Sequence, residues 1–198
     1  MGVEERMADR CNTIRLYSFQ TDVVYQVLKR DGVCYSKEEY VRKKYKESAK
    51  VFINAYGWFV KEAQHIVPKP EGAEYPYWAF TDLYNVDQTG DGHVLTLDVP
   101  IGEAILFDMF DWTKIMQMHY IGENESEEAA FSEELKNMGM NEFQIMTSNF
   151  YPEQKARIQE SWKRLFGHQQ AIEAGDNSGV HSVQAGLWCI KDEWIVKE

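Results

Sequence analysis

Three short stretches of the chain hold residues whose types and spacing could do chemistry. In "DQTGDGHVLTLD", Asp87, Thr89, Asp91 and Asp98 fall on positions 1, 3, 5 and 12 of a calcium-loop pattern, with Gly92 on position 6. Oxygen ligands at that spacing wrap a hard cation because the glycine permits the sharp turn. Position 12 is Asp rather than the longer Glu, and the flanks read as strands rather than as the two helices of that motif. The preferred reading is a Gly/Asp-rich turn between two strands, with no metal site expected. In "LFDMFDW", Asp108 and Asp111 straddle a strand–helix junction. They could act as an acid/base pair, although a carboxylate there more often caps the helix that follows. In "GVHSVQAG", His181 and Ser182 are adjacent. A Ser–His nucleophile also needs an orienting acid, and the sequence identifies none.

The other motif classes are missing. His65, His93, His119, His168 and His181 are scattered and form no H-E-x-x-H pair, so a zinc enzyme is not indicated. No G-x-S-x-G elbow and no phosphate loop occur. A net charge of −11 without a basic stripe disfavours nucleic acid and anionic membrane surfaces as partners. No apolar run of about 18 residues and no apolar signal segment are present, so no membrane span is expected. Cys11, Cys34 and Cys189 are odd in number and lack CxxC spacing, which points to a reducing cytoplasm.

The elements that would position these residues follow from hydrophobic spacing. Residues 1–12 are polar and are expected to be a flexible segment ahead of one globular domain, 13–198. "TIRLYSF" alternates as a strand. "QTDVVYQVLKRDG" reads as a helix with Thr21 as N-cap and Gly32 as its end, followed by a short extended Val33–Tyr35. A long amphipathic helix starts at an S-x-x-E capping box, Ser36 and Glu39. Its apolar stripe is Val41, Tyr45, Ala49, Phe52, Tyr56, Phe59, Ala63 and Ile66, and it stops before "PKPEG". Strands are expected at Tyr77–Tyr84 and Val94–Pro100, paired as a hairpin, and at Glu103–Phe110. Helices follow at about Asp111–His119, at "NESEEAAFSEELKNMG", and at "YPEQKARIQESWKRLFG" with Gly167 as its stop. "VQAGLWCI" and "EWIV" close the chain as a strand pair. The irregular order of strands and helices predicts an α+β class. It predicts a mixed or antiparallel sheet packed on the long helix and several shorter ones.

"IRLYSFQTDVVYQVLKRDGVCY", "YPYWAF", "VLTLDVPIGEAILFDMFDW" and "VQAGLWCIKDEWIV" together resemble an uncharacterised bacterial family, domain of unknown function 3841. The resemblance implies a bacterial, cytoplasmic, single-domain protein and carries no activity with it. The first strand, short helix and "GV" also resemble the opening of ADP-ribosyltransferase-like folds. That likeness implies a nicotinamide-dinucleotide site with Arg15, Tyr17 or Gln20 on the first strand. Trp78 or Tyr84 would be its aromatic walls, and Gln184 its late-strand residue. A late-strand Glu and the hydroxyl-bearing second-strand signature of those folds are missing here.

The expected ligand-binding set is Tyr17, Gln20, Trp78, Tyr84, Asp108, Trp112 and Gln184. The dinucleotide reading requires Tyr17, Gln20, Trp78 and Gln184 to meet in one cleft. The leading expectation is a non-catalytic module that binds a nucleotide-like small molecule or a protein partner. The alternative is an ADP-ribosyltransferase-like enzyme. No cofactor and no oligomeric state are assigned.

Overall fold

The alternation in "TIRLYSFQT" places this segment inside a sheet. In the computed structural model, which describes residues 13–39, 42 and 49–197, strand β1 (Thr13–Thr21) buries Leu16, Ser18 and Gln20 on one face. Its neighbours in the sheet are β4 (Gly92–Pro100) and β3 (Tyr77–Phe80). β6 (Val183–Leu187) and β5 (Ala104–Asp108) complete the antiparallel order β4-β1-β3-β6-β5. A second, two-stranded sheet joins β2 (Val33–Tyr35) to β7 (Cys189–Lys191). The fold is α+β in a single domain.

Two expected strand pairings are corrected. β3 and β4 do not form a hairpin, because β1 lies between them. β1 and β4 are both nine residues long and pair from Thr13↔Pro100 to Thr21↔Gly92, whereas β3 has only four residues. The full-length match with β1 outweighs a local pairing with a short strand. Tyr84 accordingly leaves the strand and sits in a 3-10 turn, Leu83–Asn85. At the C-terminus, β6 and β7 belong to different sheets, and "EWIV" is not a strand. Asp192–Trp194 is a 3-10 turn, and Ile195 makes a lone bridge to Leu97.

The helices largely follow their start and stop signals. α1 (Asp22–Asp31) ends at Gly32, whose φ of 76° is a left-handed value that glycine adopts without strain. Thr21 occupies the N-cap position but makes no side-chain cap bond. Ser36 forms a lone bridge with Tyr75. The long helix is described as α2 (Ala49–Ala63). Val41, Tyr45, Cys11 and the segment 1–12 lie outside the described residues. α3 (Met109–Met116) starts two residues earlier than Asp111, because Asp108 caps it. α4 (Glu125–Asn137), α5 (Glu142–Thr147) and α6 (Pro152–Ser161) follow. Gly167 does not end α6, which tightens into a 3-10 segment, Trp162–His168, before α7 (Gln169–Glu173).

The sheet is covered on both faces. Leu16, Leu97, Leu106 and Leu187 pack with Val24 and Leu28 of α1 and Ile172 of α7. On the other face Ile105 and Phe107 pack with Phe59 of α2, Trp112 and Ile115 of α3, and Trp162. β5 is an edge strand, yet every residue in it is buried. Gln169 explains this, since its Oε1 accepts from Leu106 N at 2.6 Å and its Nε2 donates to Ala104 O at 3.1 Å. The side-chain amide takes the place of a further strand and closes the edge. No helix among the described residues is long and apolar enough to cross a membrane.

Candidate functional site

Strand register locates the residues named for ligand binding. Tyr17 lies opposite Phe80, Phe80 opposite Gln184, and Trp78 opposite Gly186. Tyr17, Trp78 and Gln184 therefore project from one face of the sheet. Gln20, an odd number of residues from Tyr17, projects from the other face. There its Nε2 donates to Ser18 Oγ, which donates in turn to Trp78 O, tying β1 to β3. The four residues do not share one cleft.

The aromatic walls are engaged within the fold. Trp78 Nε1 donates to Tyr56 Oη at 2.7 Å, and its ring lies 4.8 Å from that of Trp112. Phe59 packs edge-on to both rings. Such pairs are worth about 0.5–1.5 kcal/mol beyond their buried area, so these rings serve the core. Gln184 is 3% exposed, and its Oε1 has no hydrogen-bond partner. Tyr84 stands apart, 91% exposed on its 3-10 turn.

The calcium-like turn is used internally as well. Asp87 Oδ1 accepts from Thr89 N and Oγ1, and Asp98 is ion-paired with Arg15. No group of three or more His, Cys, Asp or Glu among the described residues is placed to hold a metal. Cys34 and Cys189 are free and buried, and burial pushes the Cys189 thiol up to about 11, far from a reactive thiolate.

Asp108 does more than cap α3. One carboxylate oxygen accepts from Phe110 N, and the other accepts from both the backbone N and the ring Nδ1 of His181, at 3.0 and 2.8 Å. The acid that a histidine near "GVHSVQAG" would require is thus present. Burial alone would raise the Asp108 carboxyl, but the N–H groups of His181 and Phe110 and the His181 ring outweigh it and hold it below its ordinary value. Burial pushes Asp111 the other way, with Lys114 opposing and the Asp108 charge adding to the rise.

A carboxyl depressed by folding stabilises the protein above the unfolded-state value of about 3.9, and that stabilisation is lost as pH falls through the folded value. The urea midpoint of Asp108→Asn is therefore expected to lie below wild type at pH 7, with the gap narrowing as pH falls below about 3.9. A gap that stays constant as the pH falls would show that the charge contributes nothing.

A groove lies elsewhere. It has a volume of about 520 Å³ and is lined by Tyr120, Arg157, Glu160, Ser161, Lys163 and Arg164. α6 and the 3-10 segment after it supply all of these but Tyr120. Tyr120 stacks on Phe131 at 4.4 Å, with Arg157 over Phe131 at 4.8 Å and Arg164 over Tyr120 at 5.8 Å. Arg164 Nη1 also donates to Ile121 O at 2.7 Å, which fixes its guanidinium. Acids surround these cations, and Glu127 also accepts from Tyr120 Oη and Glu123 N, both at 2.6 Å. Glu134 pairs with Arg157, Glu160 with Lys163, and Glu127 and Glu123 stand 3.5 Å from Arg164. Hydrogen bonds that Arg157 and Lys163 donate to Glu134 and Glu160 raise both cations, and one that Arg164 donates to Tyr120 Oη raises Arg164. All three are therefore cationic at neutral pH. None of these residues was singled out from the sequence. The signal was "KARIQESWKR", a basic run in an acidic chain.

A second groove, of about 240 Å³, is lined mostly by Val67, Pro68, Trp188, Cys189 and Trp194. It offers Glu103 as its one charged group. No curated protein and no solved structure matches the chain. A family model described as domain of unknown function DUF3841 matches residues 15–196, so the chain belongs to that family.

Proposed function

We propose that the protein binds a small phosphate-bearing molecule of nucleotide type in the Tyr120–Arg157–Arg164 groove. The observation that carries this is the convergence of Arg157, Lys163 and Arg164 on one groove in a chain of net charge −11. Two guanidinium forks and an ammonium suit phosphate oxygens, because the fork matches them with paired N–H donors. The volume falls within the usual range for small-ligand sites, about 300–1,000 Å³. The Lys163–Glu160 pair is half-exposed, and such pairs are worth about 0–1 kcal/mol, so an entering phosphate displaces that carboxylate at little cost; the two-pronged Arg157–Glu134 contact opens only in exchange for an equally well-matched phosphate. The inner ring faces are covered by each other and by arginines, so recognition centres on phosphate rather than on stacking a base.

Three cations gathered in a small groove on an otherwise acidic protein support a small ligand over a nucleic-acid backbone, which needs an extended basic track. Dinucleotide transfer on the sheet face gains no support, since Gln20 and Tyr17 stand on opposite faces. The free, buried thiols support a reducing, cytoplasmic setting.

The test is a thermal-shift series with nucleoside mono-, di- and triphosphates and a dinucleotide. A ligand at about 100 times its Kd adds about 2.7 kcal/mol, which raises Tm by about 5–10 °C in a domain of this size. The rise is expected to vanish in Lys163→Glu and Arg157→Ala and to persist in Tyr17→Ala. A rise that survives both groove substitutions, or no rise with any phosphate compound, would turn the search to a protein partner.

A further inference from the structure

We propose that Asp108 and His181 form a proton-transfer centre that hydrolyses uncharged carboxylic esters. This goes beyond the groove reading and shares no residue with it.

The Asp108 side chain is 6% exposed and that of His181 is 74% exposed, so a buried acid holds an exposed imidazole. An ionised carboxylate can only accept hydrogen bonds. Because Asp108 Oδ2 lies 2.8 Å from His181 Nδ1 and can only accept, Nδ1 carries the proton of the neutral ring, which leaves the Nε2 lone pair of that form for chemistry. The same oxygen accepts the His181 backbone N–H at 3.0 Å, so ring and main chain are held by one atom. The Phe110 ring, 4.9 Å away, packs beside the imidazole. This is the arrangement of a base oriented by a third group.

The surroundings define the substrate class. Asp111 lies on α3, three residues after Asp108, and the Lys114 ammonium is engaged by Asp111 at 3.6 Å and Glu128 at 2.6 Å. His168 also acts on Asp111 and lies against Gly179 of the loop that leads to His181. The local charge is negative, which repels anionic substrates. Phe110 is half-exposed, and exposed Tyr84 adjoins Asn85, whose amide donates to Ser182 Oγ at 2.7 Å. An apolar or aromatic group would lie against these rings.

In the reaction, water attacks the ester carbonyl carbon and gives one proton to His181 Nε2. The imidazolium that forms is held by the Asp108 carboxylate. The tetrahedral intermediate then collapses, the carbon–alkoxide bond breaks, and Nε2 returns the proton to the departing alkoxide. The products are the alcohol and the carboxylic acid.

The test is hydrolysis of p-nitrophenyl acetate by the full chain. General acid–base catalysis is typically worth about 10²–10⁴-fold. His181→Gln is expected to lower the protein-dependent rate at least about 10-fold while its circular dichroism matches wild type, since the side chain is 74% exposed. Asp108 is a positioning residue, and its readout is the ¹⁵N spectrum of the histidine ring. Wild type is expected to show a protonated Nδ1 and a bare Nε2, and Asp108→Asn to show the tautomer mixture of a free imidazole with a matching loss of rate. An unchanged rate in His181→Gln, or a wild-type rate no higher than that of equimolar imidazole, would overturn the proposal.

Discussion

Trp162→Ala is expected to lower the unfolding free energy by about 3–5 kcal/mol, the usual cost of truncating a large buried aromatic side chain. Trp162 is fully buried where the 3-10 segment begins, between the groove cations Arg157 and Lys163. Its ring meets Trp58 edge-on at 5.4 Å, and its Nε1 donates to His119 O at 2.6 Å. Removing it opens a cavity and leaves a carbonyl without its donor, a loss of about 1–3 kcal/mol by itself. Against a typical total of about 5–15 kcal/mol, this is a large fraction. Trp162→Phe keeps most of the ring and loses the hydrogen bond, so it should cost less. Urea unfolding followed by circular dichroism checks both. A change under about 1 kcal/mol for Trp162→Ala would mean that the residue is not part of a packed core.

Gln169→Ala should cost about 2–5 kcal/mol although it removes no large side chain. Its amide alone satisfies Leu106 N and Ala104 O on the edge of β5, and Gln169 is itself buried. The substitution leaves two main-chain groups buried and unpaired, each costing about 1–3 kcal/mol. β5 ends at Asp108, so the strand that presents the carboxylate to His181 is held by this clamp. Hydrogen exchange gives a local readout. The Leu106 amide should exchange at least tenfold faster in Gln169→Ala, while amides of β1 should follow only the global loss of stability. An unchanged Leu106 amide would contradict the clamp.

Much of the local structure was legible because it depends on near neighbours. The alternation of β1, the stop at Gly32, the Asn124 start of α4 and Pro152 in the first turn of α6 are written within a few residues each. Strand partners were not legible in the same way. Local spacing marks Tyr77 and Val94 as extended but does not say that β1, more than fifty residues earlier, separates them. Asp108 shows the same division in one side chain. Its cap bond to Phe110 N spans two positions and could be read from "LFDMFDW", whereas its bond to His181 spans 73. The groove was hidden because Tyr120 and the basic run of α6 meet only through folding, and the run is diluted by an acidic surface.

The most direct test of the central claim is a map of amide chemical shifts on adding ADP to the ¹⁵N-labelled protein. The account predicts saturable changes at Tyr120 and across 157–164, diminished by Lys163→Glu and weakened at high salt as the charges are screened. It predicts no comparable change at Tyr17, Trp78 or Gln184. Changes centred on those three residues would return the site to the sheet face, and no change at millimolar ADP would contradict a phosphate-binding groove.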